Sequence, residues 1–220
     1  MPAELDTKQK TIAKPNSAPA KVSLEKFLRI TEGKFAEWVD GEVIYMSVSD
    51  PYQDRVEFLS GLMRLLAEEK KLGKVRTAPY SMKIPRKRIV REPDIMFVAA
   101  ANRAIAGSRY ADGPADLIVE VVSDDSVTRD NRDKFREYEA AGVREYWVID
   151  SRPGRHIARL YVLDEGRYFE VMPDELGIYR STVLEGFWLD VAWLWEEQPR
   201  SLAAWTEIAA TLPAPRVTTR

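Results

Sequence analysis

Between Pro114 and Asp150 the chain reads as a strand, a helix and a second strand, and that order limits the folds open to it. Leu117 to Val122 is a continuous apolar run rich in β-branched residues. Gly-Pro precedes it and Ser-Asp-Asp follows it, which is the pattern of a strand buried on both faces. A helix from about Asp130 to Ala141 comes next, closed by Gly142, and Val143 to Asp150 returns as another apolar strand. Two strands joined by a crossover helix pair in parallel, so the fold is α/β. One residue breaks the pattern: Glu120 sits inside the first apolar run. An ionised carboxylate left alone there would be costly, so it must be neutral, paired, turned to solvent at a cleft, or bound to a metal.

The chain has 220 residues, 45% of them hydrophobic, enough for one domain once the first 22 residues are set aside. It has no Cys, which excludes disulfides, thiolate zinc sites and cysteine nucleophiles. Its one histidine, His156, lies in a Pro-Gly-Arg turn context and argues against a Ser-His-Asp triad or a multi-His metal site. Chemistry then falls to carboxylates, Lys, Tyr, Ser or a metal held by oxygen ligands. No apolar run approaches the roughly 20 residues that span a bilayer, and the first 22 residues lack the apolar core of a signal peptide. A cytoplasmic location with no membrane partner is expected. A net charge of -2 and a pI near 5.7 carry no global signature of nucleic-acid binding, so any such contact must be a local patch.

Residues 1 to 22, rich in Lys, Pro, Ala, Ser and Thr, are expected to form a disordered tail. Ser23 can cap a short helix. Asp40-Gly41, between Phe35–Val39 and Glu42–Val48, predicts a β-hairpin. Asp50-Pro51, with Gln53 at capping-box spacing, opens a helix carrying Val56, Leu59, Met63 and Leu66 on one face and ending at Gly73. Val75–Ile84 and Ile89–Ala99 read as two strands joined at residues 85–88, and Ile157–Leu163 with Arg167–Met172 as a further hairpin. The Trp-rich C-terminal part, with Trp188, Trp193, Trp195 and Trp205, is expected to add one strand and short helices. The domain is expected over residues 23–198, with a short helix and tail at 199–220.

Asp94 and Glu120 are 26 residues apart on strands that can be neighbours. Two carboxylates converging at a strand end, with a backbone carbonyl such as that of Val121 and waters, make a hard-oxygen site suited to Mg²⁺ or Mn²⁺. On the following helix Asp130, Lys134 and Tyr138 recur at i, i+4 and share a face. If that face looks towards the strand ends, Lys134 reaches the site.

These residues carry a resemblance. Pro93-Asp94, then Asp116 to Ser123, then Asp130, Lys134, Tyr138 and the stretch from Gly142 to Asp150 closely resemble the Uma2 family of putative endonucleases, a branch of the PD-(D/E)XK nuclease superfamily. The segment FAEWVDGEVIYMS, from Phe35, is similar to the family's opening E-x-x-D-G-E-x-x-x-M-S pattern. The resemblance covers about residues 24 to 195. It implies a restriction-endonuclease-like mixed β-sheet core flanked by helices, with extra N-terminal and C-terminal β-hairpins. It also implies that Asp94 and Glu120 bind the metal, and that the products carry a 5′-phosphate and a 3′-hydroxyl. The superfamily's Lys, two residues after the Glu, is Val122 here; in the Uma2 branch the downstream helix supplies it, and Lys134 matches. Three positions depart from the family pattern: Ala115-Asp116-Leu117, Ser123-Asp124-Asp125-Ser126, and Pro51-Tyr52-Gln53, where many relatives have a His.

Each of these residues also has a plainer reading. Glu120 can be a structural carboxylate, Asp94 a turn residue, Lys134 the partner of Asp130 in a surface ion pair, and Tyr138 a core residue with Phe135. Glu42 is either a third acidic ligand or an exposed hairpin residue, and Asp116 is expected to be structural. Lys83, Arg86, Lys87, Arg88 and Arg91 cluster around one turn, as a phosphate-contacting patch or a solvated one. Arg129 and Arg132, near the helix start, are alternative phosphate ligands. The expected function is a Mg²⁺- or Mn²⁺-dependent endonuclease acting on DNA, with catalytic roles for Asp94, Glu120, Lys134 and Tyr138. Nucleases of this fold often pair two sites, so the analogy extends to a homodimer. The alternative is a non-catalytic nucleic-acid-binding or oligomerising module that keeps the nuclease fold, favoured by the weak global charge and by Val122.

Overall fold

Local sequence signals explain most of the elements in the computed structural model, which describes residues 21–46, 50–84, 87–124 and 126–213. The capping roles expected of the Asp50 and Pro51 side chains, the basic residue Arg86 and most of the N-terminal tail lie outside the described residues. The Ser23 hydroxyl accepts from the Lys26 N–H (3.2 Å) and caps α1 (Leu24–Ile30). In the hairpin of β1 (Ala36–Val39) and β2 (Glu42–Tyr45), Asp40 and Gly41 both have positive φ, 48° and 95°. Such a two-residue turn matches the twist of its strands. Helix α2 (Asp50–Glu69) stops short of the glycine expected to close it. Gly73 instead opens β3 (Gly73–Thr77), at φ 156°, where a Cβ would lie 2.1 Å from the Val98 carbonyl oxygen.

Two strands expected to run unbroken are each divided. Residues 75–84 contribute to β3 and β4 (Ser81–Lys83), and residues 89–99 to β5 (Ile89–Arg91) and β6 (Ile95–Ala99). Pro93 has no N–H to give a ladder. Beside it the Glu92 carboxylate leaves the strand pattern, accepting from the Ala36 N–H (2.9 Å) and the Ser81 hydroxyl (3.1 Å). After the short β7 (Tyr110–Ala111) comes the central strand β8 (Leu117–Val121). The crossover helix is π-helical over Arg129–Lys134 and continues as α3 (Phe135–Ala141), ending at Gly142 with φ 85°. The remaining strands and α-helix are β9 (Glu145–Asp150), β10 (Ile157–Asp164), β11 (Arg167–Glu170), β12 (Ile178–Arg180), β13 (Trp188–Asp190) and α4 (Ser201–Ala210), with short 3₁₀ helices at Ala100–Ile105 and Val191–Trp195. The C-terminal part thus holds a two-stranded unit where one strand was expected.

Each divided strand passes from one sheet to another. The larger sheet has the order β11-β10-β9-β8-β6-β3, with β8 and β9 parallel, as the crossover predicted. The second sheet has the order β2-β1-β5-β4-β7. Period-two alternation sorts β8: Leu117, Val119 and Val121 join the core under α2, while Ile118 and Val122 join the core that holds Tyr138 and Tyr146. Glu120 shares the parity of the second set. In the β6–β8 ladder Ile95 pairs with Val119, so one further step brings Asp94 level with Glu120. Ala204 and Ile208 of α4 are buried in the first core, so this helix packs onto the domain expected to end at residue 198.

The result is the expected mixed α/β fold of sheets flanked by helices. Among the described residues no helix is long and apolar enough to cross a membrane. Gly73→Ala should cost roughly 1–3 kcal/mol through overpacking, read as a lower denaturant midpoint at constant slope. An unchanged midpoint would contradict the close approach of Gly73 to Val98.

Candidate active site

The site is built where β8, the end of β6, the π-helical turn and β1 meet. Glu120, 1% exposed, has both carboxylate oxygens engaged: Oε1 accepts from the Tyr138 hydroxyl (2.8 Å), and Oε2 lies 2.9 Å from Lys134 Nζ. The Lys134 ammonium, 2% exposed, also lies 3.1 Å from Asp130 Oδ1 and 3.1 Å from Glu37 Oε1. Glu37 is completely buried, and its Oε2 is 2.7 Å from Arg91 Nη1 and 3.6 Å from Arg129 Nε. Arg91 makes a bidentate pair with Glu137, at 2.8 and 2.9 Å. Asp94 accepts from the Tyr52 hydroxyl and from the Val121 N–H (2.6 Å). Tyr146 donates to the Asp130 carbonyl (2.9 Å), tying the start of the helix to β9.

Burial and charge pull against each other here. Burial raises the Asp94 pKa to about 7, against the pull of Lys134 and the hydrogen bonds from Tyr52 and Val121. Burial also pushes Glu120 well above the carboxylate range, and the neighbouring Asp94 and Asp130 add to the rise. For Lys134, burial alone would lower the pKa, but Asp130, Glu120 and Glu37 outweigh it and keep the ammonium charged. Glu37 goes the other way: despite burial, Lys134, Arg91 and Arg129 hold it below the usual range. If every group is ionised, the carboxylates Glu37, Asp94, Glu120, Asp130 and Glu137, with the buried Glu92 close to Glu37 and Lys134, outnumber the cations Arg91, Arg129 and Lys134.

A cavity of about 50 Å³ lies among Tyr52, Asp94, Glu120, Val121, Arg129 and Lys134. Tyr52 and Asp94 also line an adjoining cleft of about 380 Å³, bounded by α2 and residues 77–79. A larger cavity of about 560 Å³, beside Phe187 and Trp188, holds none of these side chains.

The family model described as "Putative restriction endonuclease", Uma2, matches residues 24–192 of this chain. The chain belongs to the Uma2 family. A crystal structure described as a putative nuclease belonging to DUF820, from Anabaena variabilis ATCC 29413, superposes with a TM-score of 0.65 at 13% identity, covering 79% of this chain and 97% of that one. At that identity the likeness shows a shared fold. No curated protein matches the chain.

In this Uma2 chain Asp94, Glu120, Lys134 and Tyr138 converge, and Val121 lines the same cavity. Glu42 does not join them: it is exposed beside the hairpin turn, paired in register with Val39. The acidic residue that β1 delivers is Glu37, five positions earlier, which sequence reasoning passed over. Its signal was the one that marked Glu120, a carboxylate between apolar neighbours, Ala36 and Trp38. Asp130 and Tyr52 were likewise not assigned to the site. Of the residues expected to contact phosphate, Arg129 is the one among those described that lines the cavity. Arg132 is exposed and pairs with Asp133 (2.9 Å), Lys83 pairs with Asp112 (3.1 Å), and Lys87 and Arg88 are exposed before β5. Arg91, counted with that patch in the sequence, is buried and committed to Glu37 and Glu137. Asp116 is structural: it accepts from the Ala99 N–H (2.7 Å) and pairs with Arg144 (2.8 Å).

The residues fit a divalent cation. Among the described residues no group of three or more Asp, Glu, His or Cys side chains is placed to hold a metal ion. Mg²⁺ commonly needs only one or two carboxylates, keeping waters or substrate oxygens for its other positions. Asp94 and Glu120 supply two carboxylates, in a cluster where carboxylates outnumber cations. The cavity exceeds the roughly 10–15 Å³ that a water needs.

Two outcomes follow for the metal-free chain. Asp94 has a folded pKa raised from 3.8 to about 7, so its contribution to stability is present below about pH 4 and is lost as pH rises through 7. Melting temperature should therefore fall between pH 5 and 8 more steeply in the wild type than in Asp94→Asn; parallel profiles would contradict the shift. Lys134→Met strips the cation from three buried carboxylates and should cost about 3–5 kcal/mol, measured by denaturant unfolding at neutral pH.

Proposed function

We propose that the chain is a metal-dependent endonuclease that hydrolyses phosphodiester bonds in DNA, acting in the cytoplasm. The observation that carries this reading is the meeting of Asp94 and Glu120 in a buried cavity where carboxylates outnumber cations, beside a fixed Lys134. Asp94, Glu120 and the carbonyl of Val121 would hold Mg²⁺ or Mn²⁺. When bound, such an ion polarises a phosphate oxygen and lowers the pKa of a water.

The chain's own residues position the reacting groups. Tyr52 and the Val121 N–H orient the Asp94 carboxylate, and Tyr138 orients Glu120. Lys134 fixes the other oxygen of Glu120 and offsets negative charge. The cleft beside α2 gives a strand of nucleic acid an approach to Asp94. By analogy with nucleases that set one site on each strand, the proposed acting unit is a homodimer.

A second reading, a binding module that keeps the nuclease fold, has one observation in its favour: every oxygen of Asp94 and Glu120 already has a partner from the chain. Metal uptake separates the two. Calorimetric titration should show Mn²⁺ binding to the wild type and none to Asp94→Ala/Glu120→Ala. Glu120→Gln should keep its fold by circular dichroism and lose at least about 100-fold in Mg²⁺-dependent plasmid cleavage. A folded wild type that takes up no Mn²⁺ and cuts no DNA would move the assignment to the binding module.

A further inference from the structure

Lys134 and Arg129 both lean on Glu37, yet they are not equivalent cations. The Lys134 ammonium is 2% exposed and ringed by Glu120, Asp130 and Glu37 at 2.9–3.1 Å. An ammonium has three donors, and here three carboxylates surround it. Arg129 lines the same cavity with its side chain 19% exposed. Among the described residues its one ionic contact is Glu37 Oε2 at 3.6 Å, an oxygen that Arg91 already holds at 2.7 Å. Its Nε is buried without a hydrogen-bond partner. A guanidinium offers five donors in a planar fork that matches phosphate oxygens.

The backbone explains how Arg129 comes to stand there. In a regular α-helix, residues five apart point about 140° from one another. The segment Arg129–Lys134 is π-helical, with i to i+5 closure, which brings its first and last residues towards one side. Both side chains consequently reach Glu37. Single π-helical turns occur often at functional sites, and this one puts the less committed cation beside Asp94 and Glu120.

We propose that Arg129 contacts a non-bridging oxygen of the scissile phosphate, and that Lys134 is a positioning residue which holds Glu120. This division of roles rests on the nuclease reading. An anionic backbone approaching a cavity with excess negative charge needs a cation with free donors, and Arg129 is the residue that lines the cavity and retains them.

The test uses the full chain and a short fluorescein-labelled DNA duplex, with Ca²⁺ replacing Mg²⁺ so that binding is read by anisotropy without cleavage. Arg129→Met should weaken duplex binding about tenfold or more and make its salt dependence shallower by about one released counterion. Arg129→Lys should recover part of the loss. Mn²⁺ affinity by calorimetry should stay the same, which a general collapse of the site would not allow; Arg129→Gln serves if Arg129→Met fails to fold. Lys134→Met should instead weaken Mn²⁺ uptake. Unchanged duplex binding in Arg129→Met, with wild-type cleavage intact in Mg²⁺, overturns the role of Arg129 and spares the nuclease reading. A wild type that takes up no Mn²⁺ and cuts no DNA sinks the nuclease reading; duplex binding that still requires Arg129 would then keep Arg129 as a phosphate contact, and binding indifferent to it would remove both.

Discussion

An ammonium buried among three carboxylates holds the site together. Each partner of Lys134 comes from a different part of the structure: Glu120 from the larger sheet, Glu37 from the second sheet and Asp130 from the helix between them. Desolvating any one of these charges alone would be prohibitive, and together they are tolerable only while the ammonium stays central. The ion cluster therefore fixes where the hairpin of β1 and β2 docks and how the π-helical turn faces β8. Arg91 extends the same cluster outward, joining Glu37 to Glu137 across the junction of the second sheet with the helix.

Burial alone does not mark a carboxylate as functional, and Glu145 shows why. It is as buried as Glu37 and sits on β9, beside the strand β8 that carries Glu120, with no cation among the described residues in ion-pair contact. Six neutral donors satisfy it: the Trp147 indole N–H, the Tyr179, Ser181 and Thr182 hydroxyls, and the Thr182 and Val183 N–H groups. With its oxygens taken up by these donors, its work is to clamp β12 and the following turn onto the sheet. Asp94 and Glu120 differ. They face a cavity, and burial above all, with neighbouring carboxylates adding to it, holds their pKa values above the usual range.

The opening of the site follows from an interruption in a strand. Had residues 89 to 99 run as one strand, Asp94 would have lain within a ladder instead of at its end. Pro93 cannot donate there, and the break lets β5 turn into the second sheet while β6 stays in the first. Asp94 is left at the junction of the two sheets, reachable from Tyr52 on α2 and from the main chain of β8.

Much of this was legible in local sequence. Asp40-Gly41, Gly142 and the apolar runs around Glu120 and Trp147 give the hairpin, the end of the helix and the parallel pair, because turns and periodicity depend on residues a few positions apart. The misfit of Glu120, and its partnership with Asp94 and Lys134, could be read in the same way with the family pattern beside it. Glu37 carried a signal of its own, apolar neighbours and the head of the E-x-x-D-G-E segment, but its meeting with Lys134 and the removal of Arg91 from the basic turn into the interior could not be read. Those depend on ion pairs spanning 54 and 46 residues, made only when β1 pairs with β5 and the second sheet closes over the helix. Spacing along a chain says which side chains share a face; which charges meet across a closed interface is decided by sheet pairing, because only burial removes the water that would otherwise screen them apart.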